Sequence, residues 1–582
     1  MKLASFQKLL SDFLQVIKRF PLELLAAVTG TVAGMAMVRA DSMEDPQHQI
    51  VLFSSNLALT LFLSVSLFSE SHRLSSKTRW LLSGAALLLV LLAAQGLYPV
   101  TLEASIIRFL LLAAAFHLLV SFAPFIYSGS MDGFWEYNKT IFLRILLSGL
   151  YSGALYIGIA IAVSATDVLF DLKMPNEIYG YTFCLIAGIF NTVFFLSGIP
   201  NNWKAMEDPQ PYPKGLKVFT QYVLIPLASI YLVILLAYEI KIIIEWELPK
   251  GIVTSLVMGY AVYGMLSLLL VHPIRYDEGN QWMRTYAGVF YVLLIPLIAL
   301  MGVAIGVRID QYGVTESRYF IVLIGLWLTG VSLYFLFSHL KNIKVVPVTL
   351  CIALLLATWG PQSAPAVSMR SQTNRLKDFF KKHQAYENEK IIPLKSRTTS
   401  DEAEALLRYL LNRYGLEAIQ PLTDVNLAQL TAAADTIKNH YDAEWKRYQL
   451  IRDYFNIEPA YVATERRYFD VRTQMRHPLP VHGYDSLAQL SYPAATETSW
   501  VHSETQGSRV VFKSANRQLV FDLSATIDKV KNGWQDDHEF VFGDLTTRDS
   551  TARSELIIKE LVFEKTDSGY VIRRVHGILL FK

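Results

Sequence analysis

The chain has 582 residues, 52% of them hydrophobic and only 18% charged, where a soluble domain carries roughly 25% charged residues. A formal net charge of +3 is too small to argue for a nucleic-acid partner. The mean hydropathy of +0.31 averages two unlike parts: a series of apolar runs up to about residue 360, then the composition of an ordinary soluble domain. Cys184 and Cys351 both fall in apolar runs, so the polar C-terminal part offers no disulfide framework and no Cys-based zinc site.

Residues 1–20 space their apolar side chains helically among lysines, and no small-residue cleavage site follows. This predicts an amphipathic surface helix leading into the first span rather than a cleaved signal. Run length then predicts about eleven spans, near 21–40, 50–69, 80–100, 104–127, 141–163, 178–199, 218–240, 252–272, 285–306, 319–337 and 344–360. With a cytoplasmic N-terminus, about fifteen basic residues fall inside, among them Lys18, Arg19, Arg73, Arg79, Lys214 and Lys344. About six fall outside, chiefly Lys173, Lys250, Arg308 and Arg318, while the outside loops hold mostly acids. That is the positive-inside pattern. An odd number of spans then puts the C-terminal part in the periplasm.

Trp359-Gly360-Pro361 and Pro365 end the membrane part. Residues 361–400 read as a juxtamembrane helix, clearest at 375–382, and a linker; residues 401–582 read as a soluble α+β domain. Its helices are expected at 401–414, 426–440 and 442–455, with Gly415 as a stop. From about 460 the pattern turns to period two, with turns expected at Asn532-Gly533 and Asp567-Ser568-Gly569. The fold class is thus a polytopic all-α membrane bundle of about eleven helices carrying a C-terminal α+β domain.

The densest polar stretch of the membrane half lies between the ninth and tenth runs: Arg308, Asp310, Tyr312, Gly313, Thr315, Glu316, Arg318 and Tyr319. Gly313 permits a turn at positive φ, Thr315 can cap the next helix, and Glu316 suits its first turn. Arg318 is unfavourable at a helix N-terminus, and Asp310 and Glu316 are its nearest expected partners. Two readings stand: a capped turn anchored by its tyrosines, or an outward site for a polar headgroup, sugar or ion. Arg108, His117 and Asn191 are the candidate intramembrane polar residues, for which interhelical hydrogen bonding is the commoner role. On the opposite face, Asp277 and Glu278 around Trp282 fit an interfacial anchor. His477, His482 and His502 do not form a familiar metal spacing, and no phosphate loop, GxSxG elbow or HExxH helix occurs. No catalytic residue, metal site or cofactor is therefore assigned, and the enzyme question leans to no.

The stretches FWEYNKTIFLRILLSGLYSGALYIGIAIA (134–162), Trp282 through RIDQYGVTESRY (to 319) and WGPQSAPAVSMRSQTNRL (359–376) carry a resemblance. They resemble a bacterial integral-membrane family catalogued as domain of unknown function 4153, in the form found in Bacteroidetes-type bacteria. The resemblance implies a multi-pass inner-membrane protein of a Gram-negative envelope; Gly313, Thr315, Glu316 and Arg318 match its pattern, and no catalytic residue carries over. Three classes of function follow. One is an envelope protein whose exterior domain binds a partner protein or a lipid or glycan ligand. Another is a transporter or flippase for a lipid-linked or polar envelope component. The third is a membrane enzyme acting on headgroups. The expected surroundings are the bilayer, without nucleic acid; the oligomeric state is not encoded legibly.

Overall fold

The computed structural model describes residues 14–40, 46–98, 102–127, 129–203, 206, 212–245, 252–275, 279–437, 440–458, 468–472, 484–492, 502–514, 517–535, 545–549, 554–566 and 569–581. The chain separates into two compact units, one of residues 1–398 with 402–457 and one of 399–401 with 458–582. Residues 1–13 of the expected surface helix, Asp277, Glu278, His477 and His482 lie outside the described residues, as do 538–544 of the period-two region; 14–19 are helical.

Each apolar run of the first unit becomes one helix. These are α1 (Pro21–Arg39), α2 (Pro46–Ser71), α3 (Ser76–Leu97), α4 (Glu103–Phe122), α5 (Met131–Phe170) and α6 (Glu177–Ser197). They continue with α7 (Lys214–Glu245), α8 (Ile252–Leu270), α9 (Gln281–Tyr312), α10 (Glu316–Phe337) and α11 (Val345–Thr358). Among the described residues ten are long and apolar enough to cross a bilayer, and α11 is a shorter apolar helix of 14 residues, about 21 Å at 1.5 Å per residue. Residues 185–190 of α6 and 220–224 of α7 widen to π-helix.

Loop contacts sort the helix ends into two sets. Arg19 bonds the Ile199 carbonyl (2.8 Å) and pairs with Glu70 (2.7 Å), His72 Nε2 meets the Ile126 carbonyl (2.7 Å), Trp135 donates to the Leu269 carbonyl (2.8 Å), and Lys344 reaches the Gly129 carbonyl (3.0 Å). At the other end Glu103 pairs with Arg413 (2.7 Å) and the loop between α9 and α10 meets residues beyond 360. Although short, α11 starts in the first set, at Lys344, and ends in the second. There the Trp359 indole covers Gly96, where an added Cβ would sit 3.1 Å from Nε1. The alternation runs as the run lengths predict.

Beyond α11 come α12 (Ala364–Lys382), α13 (Asp401–Tyr414) and α14 (His440–Tyr454). Ser363 caps α12 by accepting from the Ala366 amide, and the stripe Ala364, Pro365, Ser368, Gln372, Leu376, Phe379 and Phe380 is its buried face. The α12–α14 segment closes its own core, with Leu376, Phe380, Leu407, Leu410, Leu427, Ile451 and Phe455. Ala104 at the start of α4 belongs to that core too. These helices therefore pack on the bundle as a cap. Two expectations fail locally: residues 426–440 break into a short helix (Leu427–Leu430) and a 3-10 turn (Ala432–Thr436), and Asn532-Gly533 lies inside a helix rather than a turn. The alanine run has few large apolar residues to hold a longer helix against the core. The amphipathic face of the second helix, with Ile527 and Val530 buried, outweighs one unfavourable glycine.

The second unit holds β1 (Tyr468–Arg472), β2 (Ser486–Tyr492), β3 (His502–Gln506), β4 (Arg509–Ser514), β5 (Arg517–Asp522), helix α15 (Ser524–Gln535), β6 (Thr546–Arg548), β7 (Ser554–Thr566) and β8 (Gly569–Phe581). Strands β7 and β8 form a long antiparallel hairpin, closing where Thr566 faces Gly569, and β7 also pairs with β6 and β1 while β8 pairs with β2. Strands β3, β4 and β5 form a separate antiparallel meander. Their shared core includes Val510, Phe521, Ile527, Leu556, Phe563 and Val575.

Candidate functional site

The polar stretch between α9 and α10 is far shorter as a loop than the sequence suggests. Arg308, Asp310 and Tyr312 lie on the last turns of α9, which runs helically past the apolar segment, and only residues 313–315 are non-helical. Gly313 turns at φ 70° as expected, and a Cβ there would sit 2.8 Å from Arg375 Cδ and 2.9 Å from Ser371 Oγ. The glycine therefore supplies both a left-handed backbone and close approach of α12. Thr315 occupies the N-cap position of α10, but its side chain makes no capping bond.

Arg318 corrects the expected ion pair. Its Nη1 donates to the carbonyls of Tyr312 (3.1 Å) and Gly313 (2.6 Å), and the guanidinium lies 5.4 Å from the Tyr312 ring centroid. The physical reason is that the carbonyl end of α9 presents partial negative charge and open acceptors beside the loop. Asp310 and Arg308 stay exposed on α9 and do not join the centre of the site.

Glu316 is 2% exposed. Its carboxylate accepts from two phenols of α13, Tyr414 at Oε1 and Tyr409 at Oε2. Burying a carboxylate is unfavourable by several kcal/mol unless it is compensated. Here two hydrogen bonds to a charged group contribute about 1.5–3 kcal/mol each, and the N-terminal end of α10 favours negative charge. Burial first, and then the charge of Glu316, push both phenols above the ordinary tyrosine range. They are locked as proton donors, a poor arrangement for acid–base chemistry and a good one for holding two elements together.

The loop is gripped from its other side by α12. Ser371 Oγ accepts from the Val314 amide (2.8 Å), and Gln372 donates to the carbonyls of Tyr312 (3.1 Å) and Val314 (2.8 Å). Tyr319 donates to the Gln362 carbonyl at 2.8 Å, and Arg375 pairs with Glu402. Of the eight candidate residues, Tyr312, Gly313, Glu316, Arg318 and Tyr319 thus take part in a clamp that joins the loop to α12 and α13, while Arg308, Asp310 and the Thr315 side chain stay outside it.

Tyr414 also faces a cavity of about 580 Å³. Its walls come from the start of α4 (Leu102, Ser105, Arg108), from the end of α13 and the turn after it (Leu411, Glu417), and from Asp435, Glu444, Arg447 and Tyr448. Arg108 Nε is buried with no hydrogen-bond partner. Arg447 pairs with Asp435 at 2.7 Å.

The other intramembrane candidates do not converge. His117 is exposed on the bundle surface and bonds the carbonyl one turn earlier, Ala113, at 2.6 Å. Asn191 accepts from Ser152 of α5 at 3.2 Å, an interhelical bond. A buried carboxylate missed at sequence level is Glu23, at the first turn of α1 and wholly buried. Ser66 donates to it at 2.6 Å and Arg79 reaches the same hydroxyl at 3.1 Å. Position at the end of a run, rather than within one, hid it.

These features define a class: a multi-pass helical membrane protein with a helical cap packed on one end of the bundle and a separate strand-rich unit. The chain belongs to the family described as domain of unknown function (DUF4153), whose profile matches residues 26–378. That span includes Glu316 and α12 up to Asp378, and ends before Tyr409 and Tyr414. The chain is 25% identical over 223 residues to an uncharacterized protein, PM1469, of Pasteurella multocida (strain Pm70). That alignment spans 37% of this chain and 36% of the relative, so the chain matches about a third of that protein's length. No solved structure matches.

Proposed function

We propose that this is a multi-pass protein of a bacterial inner membrane, with the N-terminus cytoplasmic and the capped end of the bundle facing the periplasm. Its exterior helices bind a ligand of the cell envelope. The orientation is supported by the bias of basic residues together with the alternation of the two sets of helix ends. The observation that carries the binding reading is the 580 Å³ cavity with the unpartnered Arg108 Nε in its wall. Its volume suits a small polar ligand or a headgroup, and a buried guanidinium nitrogen without an acceptor favours one. The transport reading has weaker support, because neither His117 nor Asn191 lines this cavity. An enzyme reading gains titratable groups in one place, but the phenol nearest the carboxylate is held as a donor.

Native mass spectrometry on protein extracted from its own membranes in mild detergent tests the reading. A bound ligand that the wild type retains and Arg108→Gln releases is the expected result. Equal spectra for the two proteins, with nothing retained by either, refute it.

A further inference from the structure

Another cavity, of about 590 Å³, lies within the spans between α1, α2, α5 and α6. Glycines bring its helices together: an added Cβ on Gly30 would sit 3.1 Å from Ser55 Cβ, and one on Gly188 would overlap the Thr31 hydroxyl. The wall takes in the π-helical stretch of α6 at Ala187 and Gly188. Gly30 lies nine residues from either end of α1, about 14 Å each way. Its contact with Ser55 is therefore at the middle of a hydrocarbon core about 30 Å thick. Asn56, next to Ser55, lines the cavity about 15 Å along α2 from Pro46.

Three polar side chains of this wall are unsatisfied. Ser55 is 7% exposed, Thr192 is 9% exposed, and Asn56 is open to the cavity. None of the three makes a side-chain hydrogen bond to the described residues, whereas Thr31 in the same wall donates to the Ala27 carbonyl at 2.8 Å. An unmet amide or hydroxyl is costly in hydrocarbon. All three can donate, and no charged side chain is among the described lining residues. The wall therefore suits an uncharged molecule that carries acceptor oxygens into the hydrocarbon. A phospholipid does not supply them, because its ester and phosphate oxygens stay near the headgroups, about 15 Å from the bilayer centre. A helix does not fit either: over the about 20 Å from Tyr179 to Thr192 it would need roughly 1,600 Å³ at about 10 Å across, nearly three times the cavity. Water would meet the donors but not the apolar remainder of the wall at Met37, Leu52 and Leu59.

We propose that this cavity binds a lipid-soluble quinone, whose ring carbonyls accept from the Asn56 amide and from the hydroxyl of Ser55 or Thr192. A quinone is uncharged, carries acceptors and no donor, and dissolves in the hydrocarbon itself. Tyr156 and Phe183 line the same cavity with their ring centroids 5.7 Å apart and edge to face, which offers a flat ring both an aromatic face and an edge. The site goes beyond the binding reading above and does not rest on it, since the two cavities share no lining residue.

The test is an adduct titration by native mass spectrometry on the full chain in maltoside detergent. The probes are decylubiquinone, dodecanol and dioleoyl phosphatidylglycerol. The wild type is expected to hold decylubiquinone about tenfold more tightly than dodecanol, the size of one further hydrogen bond. Asn56→Leu puts an apolar side chain at a position open to hydrocarbon, is expected to fold, and should erase that preference. Ala187→Phe, at an exposed position of the wall, should weaken both adducts by filling the cavity; with the wild-type ranking it carries the test if Asn56→Leu does not fold. Equal binding of decylubiquinone and dodecanol by the wild type overturns the proposal. So does an Asn56→Leu protein that keeps the preference, or an Ala187→Phe protein that binds the quinone normally. Phosphatidylglycerol held as tightly as the quinone and released by Ala187→Phe overturns it in favour of a phospholipid chain. A wild-type dimer that Asn56→Leu separates overturns it in favour of a second copy of this chain.

Discussion

The clamp at Glu316 makes a quantitative demand on Tyr409 and Tyr414. Replacing either with Phe keeps the ring in the packing and removes only the hydroxyl, so the loss is one hydrogen bond to a buried charge, about 1.5–3 kcal/mol. Removing both leaves a 2% exposed carboxylate with the α10 terminus as its main support, and the cost rises toward that of breaking a buried pair, about 3–5 kcal/mol. A chain with two compact units need not unfold in one step, so the measurement should be local. Hydrogen exchange of the α13 amides in detergent reports the opening of the cap itself. Each Phe variant is expected to speed exchange there about ten- to a hundredfold, since about 1.4 kcal/mol is a factor of ten. Exchange in α5 and in the β7–β8 hairpin should be unaffected. Glu316→Gln combined with Tyr414→Phe should be less damaging than the sum of the two, with a coupling above about 1 kcal/mol. Unchanged α13 exchange in both Phe variants, or strict additivity with Glu316→Gln, would refute the clamp.

Three further outcomes follow from particular contacts. His272, buried after α8 with Nδ1 unpartnered, has its pKa pushed down to about 4 by burial and then by Arg275. A base whose folded pKa is depressed binds its proton more readily when unfolded, so its contribution is fully present above about pH 6.5 and is lost as the pH falls toward 4. Melting temperatures recorded from pH 7.5 to 4.5 should therefore fall more steeply for the wild type than for His272→Gln, and parallel curves would contradict the assignment. Gly313→Ala combines a left-handed φ of 70° with contacts under 3 Å to Arg375 and Ser371, and should lower stability by more than about 1 kcal/mol, read as a lower melting temperature. Arg318→Ala should destabilise the purified protein because the Gly313 carbonyl loses the arginine donor and the Tyr312 carbonyl keeps only Gln372. Arg318→Lys should recover little of that if the planar fork matters. An Arg318→Ala protein that melts normally yet loses cellular function would instead make the arginine a binding group.

The spans were legible because a bilayer imposes length and apolarity on every crossing, and those properties are local. The turn at Gly313 was legible for a similar reason, since a positive φ is a property of one residue. Bonds set by tertiary packing were not. Glu316 finds its donors 93 and 98 residues later, and neither tyrosine has a periodicity that marks it as a partner. For Arg318 the sequence offers only the nearby carboxylates Asp310 and Glu316 as opposite charges. In the folded chain the end of a helix provides negative character without any charged residue. The polarity of Arg308 and Asp310 suggests a loop, but α9 continues beyond its apolar segment to Tyr312. The composition of residues 426–440 favours one helix, whereas the cap holds Leu427 in its core on a short helix followed by a 3-10 turn.

One residue joins the clamp and the cavity, and that gives the two a common energetics. Tyr414 donates to Glu316 and also faces the space walled by Arg108. If the cap is docked only while that bond is made, a ligand that needs both walls binds the docked state alone. It then stabilises docking by RT ln(1 + [L]/Kd), and the coupling is reciprocal. Tyr414→Phe should therefore weaken ligand binding through the fraction of docked cap and not through a lost contact with the ligand. The two origins are separable, because Tyr409 donates to the same carboxylate but does not line the cavity. If docking is the link, Tyr409→Phe lowers ligand affinity in proportion to its effect on α13 exchange. If Tyr414 acts on the ligand directly, Tyr409→Phe loosens the cap and leaves the measured affinity of the docked fraction intact, and only Tyr414→Phe departs from the common line.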